Sequence, residues 1–225
     1  MKSVVFSAKS EYGRFRKPYT TTSALTFLCI HPVAAKGLIG ALVGIDKLDL
    51  YEETKDLKIG IEVLGEINKD LQSVKLLNLK EGVSGGMFHF PSNIEFLRCP
   101  HYRFYVMWNE NKLNELNDKL NVGEWEFTPY LGVSESIAKM NYEGMFEVSK
   151  VEKADFVNTI IPTKNILPKI NLNTKMYSDK IPVKNNSNRE YIEYEKIVFA
   201  EKNPLFGKIS NTDIYQVGER NVYFF

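Results

Sequence analysis

Two stretches of helical periodicity sit between runs of period-two hydrophobicity in the first 150 residues, and few architectures accept that order. Val4 and Phe6 alternate with polar neighbours and predict a first strand. Pro32 suits the first turn of a helix and Gly44 its end. From Leu57 to Trp108 the period returns to two: Phe88, Phe90, Ile94 and Phe96 share one parity, and Tyr102, Phe104, Val106 and Trp108 form a second such run. Pro91 marks an edge position or a bulge. Asn109 then caps a helix whose stripe is Leu113, Leu116 and Leu120 and whose stop is Gly123. A short helical turn is expected after Pro129, through Ser134 to Met140. Beyond residue 141 the pattern is β again, at Met145–Val151, Tyr191–Phe199 and Asp213–Gln216. This order fits an α+β chain with a ferredoxin-like, RNA-recognition-motif-like domain over 1–150 and a smaller β-rich region over 151–225. A long hairpin is inserted at about 71–98, with a glycine-rich tip at Gly82, Ser84, Gly85 and Gly86. Lys184–Arg189 reads as a turn or a mobile loop.

At 225 residues the chain is long enough for one substantial core, and 44% hydrophobic with 25% charged residues describes a globular protein. The apolar run after Met1 is too short for a signal peptide, and no stretch of about 18 apolar residues exists to span a membrane. Cys29 and Cys99 do not form a secreted disulfide framework. A cytoplasmic location is the expectation.

Charge is unevenly distributed. The whole chain is nearly neutral at +1, yet residues 1–45 hold Lys2, Lys9, Arg14, Arg16, Lys17 and Lys36 against Glu11 alone. Within them, residues 12–23 mix cations (Arg14, Arg16, Lys17), flat rings (Phe15, Tyr19) and small hydroxyls (Thr20, Thr21, Thr22, Ser23). That mixture suits a single-stranded nucleic acid, since cations follow phosphates and rings stack on bases. Solvated, unspecific cations are the competing reading, and either ring also suits a core. In the helix that follows, Gly37 and Ala41 lie four apart and Gly40 repeats the theme. Such a smooth face serves either close packing on a sheet or approach to a phosphate.

Other motifs point less clearly. Cys29-Ile-His31 and Cys99-Pro-His101 repeat Cys-x-His, but not at the spacing of a zinc finger, and no metal or cofactor is expected. His89, His101, Tyr102 and nearby lysines raise general acid–base cleavage of RNA, which needs groups that converge in space. No phosphate-binding glycine loop of the nucleotide-hydrolysing kind is present, and Val83-Ser-Gly-Gly-Met87 lacks the strand-to-helix context for one.

The run Phe15-Arg-Lys-Pro-Tyr-Thr-Thr-Thr-Ser-Ala-Leu-Thr26, followed after a proline by Gly37-Leu-Ile-Gly-Ala-Leu-Val-Gly44, resembles the N-terminal signature of the fifth CRISPR-associated protein family, as found in type I-B Cascade complexes. Phe127-Thr-Pro-Tyr-Leu-Gly-Val-Ser-Glu-Ser136 is similar to another segment of that family. Residues 29–35 depart from relatives that are more basic and more proline-rich there. The resemblance implies a RAMP-type, non-catalytic subunit of an antiviral surveillance complex. Such a subunit grips the 5′ handle of the guide RNA and caps a backbone of subunits of the seventh Cas family. It also docks a large subunit of the eighth, with target DNA near the PAM as a further partner. Arg14, Arg16 and Lys17 would neutralise handle phosphates, with Lys36 a further candidate. Phe15 or Tyr19 would stack on a base, and Thr20, Thr21, Thr22 and Ser23 would bond the sugar–phosphate chain. The hairpin would be the family's thumb, reaching a neighbouring backbone subunit and helping to bend the RNA. Relatives in the type I-C branch process guide RNA, so a metal-independent endoribonuclease is the alternative; a subunit held entirely by proteins is a third reading.

Overall fold

The computed structural model describes residues 1–20, 24–78, 88–169 and 174–225, with 76–78 and 88–90 as backbone alone. The residues expected to form a thumb tip, Gly82, Ser84, Gly85 and Gly86, together with Thr21, Thr22 and Ser23, lie outside the described residues.

The N-terminal part runs β1 (Lys2–Lys9), β2 (Tyr12–Gly13), α1 (Pro32–Val43), α2 (Leu50–Glu53) and β3 (Lys58–Val63). It continues through β4 (Asn68–Asn78), β5 (Phe88–Arg98), β6 (His101–Met107), α3 (Glu110–Val122) and β7 (Lys139–Val151). The later elements are β8 (Phe156–Val157), β9 (Ile161–Pro162), β10 (Ile166–Pro168), β11 (Met176–Asn185) and β12 (Tyr191–Ala200). The chain closes with β13 (Leu205–Ile209), β14 (Ile214–Val217) and β15 (Arg220–Val222). The fold is α+β and rich in sheet.

The largest sheet has the order β15-β14-β7-β1-β6-β3, and β1 lies antiparallel to both neighbours. Taken as first to fourth in chain order, β1, β3, β6 and β7 therefore stand as fourth, first, third, second across the sheet. Central β1 has six consecutive buried residues, Ser3 to Ala8, because both of its faces are covered. Val4, Phe6 and Ala8 join Ile59, Ile61, Phe104 and Val106 beneath α1 and α3 in the main core. Both helices form where their caps are encoded. His31 accepts the Ala34 N–H and precedes Pro32, Asn109 accepts the Lys112 N–H, and Gly44 and Gly123 end the helices at φ 80.

The opposite face of the sheet is covered by the chain's own C-terminus. Val5, Tyr105, Met107 and Val148 pack with Val217 and Val222, and a Cβ on Gly60 would lie 2.4 Å from Val222. Beside them, Glu62 accepts from Tyr105 Oη (2.6 Å) and Arg103 (3.0 Å), while Arg103 also bonds Glu143 (2.7 Å). Ile160, Ile181, Ile197 and Phe199 belong to the same main core as the first 150 residues.

β4 and β5 pair without a register shift from Asn68↔Arg98 to Asn78↔Phe88, so the hairpin is long and continuous, Pro91 included. The helical turn expected through Ser134 to Met140 does not form. Tyr130 bridges Ile137 instead, and β7 begins at Lys139. Among the described residues no helix is long and apolar enough to cross a membrane.

Candidate nucleic-acid interface

The cationic segment is held against the base of the hairpin. Tyr12 and Gly13 pair with Arg98 and Leu97 of β5, and Ala24 bridges Ile94. Its two limbs bond each other, with Phe27 N–H to Phe15 C=O at 2.8 Å and Lys17 N–H to Leu25 C=O at 2.9 Å. Thr26, fully buried, accepts the Phe15 N–H at 2.9 Å, and its own N–H reaches the Glu95 carboxylate at 2.9 Å. Among the described residues, limbs anchored at this many points present a fixed set of side chains.

That set is smaller than the sequence predicts. Phe15 is 2% exposed and lies edge-on to Tyr102 and His31 in the core, so its ring has no face for a base. Lys17 is also turned inward. Its Nζ sits 3.0 Å from Asp179 and 5.3 Å from the centre of the Phe27 ring, while the same carboxylate accepts the Leu28 N–H at 2.9 Å. The expected phosphate ligand is thus an internal tether to β11. The Thr20 hydroxyl donates to the Lys17 carbonyl at 2.9 Å. What faces outward is Arg16, Pro18 and Tyr19, the last 61% exposed. Arg14 is half-buried, its guanidinium 5.9 Å from the Phe96 ring centre and its buried Nε without a partner among the described residues. Burial, then neighbouring Arg16, lowers its pKa.

Beside this loop, α1 forms one wall of a groove of about 520 Å³. The other walls are residues 45–54, which include α2, residues 127–132 and the 185–191 turn between β11 and β12. The Phe127 N–H bonds the Ala41 carbonyl at 3.0 Å, and the Arg14 N–H bonds the Leu131 carbonyl at 3.1 Å, so the two sequence patches separated by some 80 residues meet here. Gly132 makes the junction possible. At φ +90, a Cβ there would lie 1.9 Å from the Arg14 carbonyl oxygen. The helix glycines divide: a Cβ on Gly40 would strike Leu50 at 2.4 Å, whereas one on Gly37 meets nothing within 4 Å among the described residues. Gly37 therefore does not serve packing on the sheet. Lys36 lines the groove half-buried, with Nζ donating to the Thr54 carbonyl at 2.9 Å, and burial lowers its pKa.

Sequence reasoning missed the contribution of β11 and β12. Tyr191 lines the groove, stands 6.2 Å from Tyr194 by ring centres, and Lys180 covers Tyr194 at 5.8 Å. Burial, and then nearby Tyr19, raises the pKa of the Tyr194 hydroxyl. The only local signal is a basic, polar turn leading into an aromatic strand.

The remaining candidates disperse. His31 is buried, its Nδ1 capping α1 and its pKa pushed down to about 3 by burial. Cys29 is buried with its thiol pKa raised, first by burial and then by Asp179, whereas Cys99 is exposed. Tyr102 points into the core, while adjacent His101 lines a separate depression with Lys9, Arg98, Lys139 and Lys202. Burial, then Lys9, lowers the His101 pKa. His89 lies outside the side chains described.

No protein-family model matches the chain, and no curated protein matches it. Among solved structures it is similar in fold to a CRISPR protein from Archaeoglobus fulgidus, with TM-score 0.59 and 12% identity over 99% of this chain and 98% of that one. It is also similar to a chain of a CRISPR RNA-guided surveillance complex, with TM-score 0.55 and 13% identity over 90% and 91%. A chain of the type III-B Cmr-beta complex bound to cognate target RNA and AMPPnP matches with TM-score 0.50 and 13% identity over 92% and 86%. At these identities the likeness is one of fold.

Proposed function

We propose that this chain is a non-catalytic RNA-binding subunit of a type I-B CRISPR Cascade complex, a member of the fifth Cas family that grips the 5′ handle of the guide RNA. In this reading the βαββαβ unit is a ferredoxin-like domain, the β4–β5 hairpin is the thumb that meets a backbone subunit of the seventh Cas family, and residues 151–225 form a β-rich appendage. The subunit caps the backbone, docks a large subunit of the eighth family near the PAM-proximal target DNA, and works in the cytoplasm.

The observation that carries this reading is the anchored loop. Phe15, Thr26 and the Lys17–Asp179 pair fix its inner side, so that Arg16 and Tyr19 stand outward without having to be ordered on binding. Arg16 then neutralises a phosphate, Arg14 supports it, and Tyr19 offers a stacking face; Thr21, Thr22 and Ser23 complete the contacts to the sugar–phosphate chain. The likeness of fold to a chain of a surveillance complex over nine-tenths of both chains agrees with this assignment.

The test is handle binding by the complex carrying Arg14→Gln and Arg16→Gln. For every phosphate no longer neutralised, the slope of log K against log salt should fall by about 0.7. An unchanged affinity and slope would remove the loop from the site. The non-catalytic assignment is supported by the divergence of two of the cleavage candidates, Tyr102 pointing into the core and His101 lining a separate depression, with His89 outside the side chains described. Metal-independent cleavage of a repeat RNA hairpin by the purified chain would overturn it.

A further inference from the structure

We propose that the groove beside α1 receives one nucleotide swung out of the bound single-stranded RNA, its base against the rings of Phe127 and Tyr130 and its phosphate at Lys36 and Arg189. This rests on the reading of the chain as an RNA-binding subunit and adds a second, separate point of contact.

The volume, about 520 Å³, falls in the range that encloses a single small ligand. Its lining is cationic, with Lys36, Lys47 and Arg189 against Asp46 alone. Among the described residues none of the three cations has a carboxylate within ion-pair distance; Lys47 and Arg189 are exposed, whereas Lys36 is partly buried and, like Arg14, outside any ion pair, in contrast to Lys17, Arg103 and Lys119. Lys36 is the most telling. Its ammonium has three N–H donors, of which the Thr54 carbonyl takes one, and burial disfavours its charge. An anion arriving at Nζ would offset that desolvation. The walls supply flat apolar surface as well: Phe127 and Tyr130 are 49% and 45% exposed and line the same groove. Rings with cations and no recessed acidic cluster match a nucleotide better than a peptide side chain.

Gly37 adds an independent observation. Glycine weakens a helix interior and is retained where something approaches closely. Among the described residues nothing lies within 4 Å of a Cβ placed on Gly37, so its missing side chain keeps the groove floor open.

Because Gly37 faces open space, it provides a plug that spares the fold. Gly37→Met fills the groove with a good helix former, and Gly37→Ala is the control that strengthens the helix without filling it. The assay is photo-crosslinking of 4-thiouridine-substituted guide RNA in the co-expressed complex, with peptides and nucleotides mapped. In the wild type, peptides 127–132 and 185–191 should crosslink to one nucleotide of the handle. Gly37→Met should lower that yield about tenfold, the loss of one stacked base, while residues 14–20 label as before and Gly37→Ala behaves as wild type. Labelling of 14–20 with the groove peptides silent would overturn this inference and leave the handle reading standing. Silence at both places would remove both. Groove peptides found crosslinked to a partner protein, or an equal loss in Gly37→Ala, would also overturn it.

Discussion

Replacing Lys17 separates a structural tether from a ligand contact. Its Nζ lies 3.0 Å from Asp179, and the two side chains are only 16% and 9% exposed. Breaking such a pair from one side leaves the other charge poorly solvated, a loss of about 3–5 kcal/mol for a fully buried pair. Here Asp179 keeps the Leu28 and Lys180 N–H groups at 2.9 and 2.8 Å after Lys17→Met, and the methionine still reaches Phe27. The loss should therefore be nearer that of one charged hydrogen bond, about 2 kcal/mol. In a chain of this size that lowers Tm by about 4–8 °C. Asp179→Ala removes the acceptor for all three donors and should cost more, about 3 kcal/mol, and the double variant should show a coupling of about 1–2 kcal/mol between the two sites. The assay pairs thermal unfolding with RNA binding at several salt concentrations. Lys17→Met should lower Tm and leave the salt slope unchanged, whereas Arg16→Gln should do the reverse. A Lys17→Met chain with wild-type Tm and a salt slope flattened by about 0.7 would refute the tether and restore Lys17 as a phosphate ligand.

Three further outcomes follow from the same geometry. His31 folds with its pKa pushed down to about 3 from 6.5, so between those values the unfolded chain holds a proton that the folded chain does not. Stability from this group is fully present above pH 6.5 and is lost on acidification, with a slope of up to about 1.4 kcal/mol per pH unit; His31→Asn, which keeps a capping acceptor, should flatten the Tm–pH curve in that window. At pH 8, iodoacetamide should modify exposed Cys99 and spare buried Cys29 in the folded chain, as mass spectrometry would show; equal labelling would contradict the core position of Cys29. Gly132→Ala sets a Cβ against the Arg14 carbonyl at a left-handed φ, so it should lower Tm and also weaken RNA crosslinking at residues 14–20; a wild-type Tm would contradict the packing described.

The parts of the fold legible in the sequence are those set by short-range chemistry. Both long helices are announced by residues at their ends: Pro32 and Gly44 for one, Asn109 and Gly123 for the other. The hairpin is legible in the alternating run from Phe88 to Phe96, which pairs with Asn68–Asn78. Roles decided by distant partners are not legible. Lys17 reads as a free cation until Asp179, 162 positions away, comes to face it. Phe15 and Tyr19 are equivalent rings in the sequence, and only the covering by Tyr102 and His31 assigns one to the core. Tyr191 and Arg189 carry no functional signal because their neighbours in the groove, on α1, lie about 150 residues earlier. The turn at 134–140 shows the converse: helical propensity after Pro129 yields to a bridge between Tyr130 and Ile137, which lets β7 begin in register with β1.

The most direct test of the central claim is a crosslink map of the chain against guide RNA in the assembled complex, resolved to peptide and nucleotide. The account predicts crosslinks from Arg16 and Tyr19 to the repeat-derived 5′ handle. Crosslinks confined to other surfaces, or none while backbone subunits label well, would contradict it and make the anchored loop a contact between proteins.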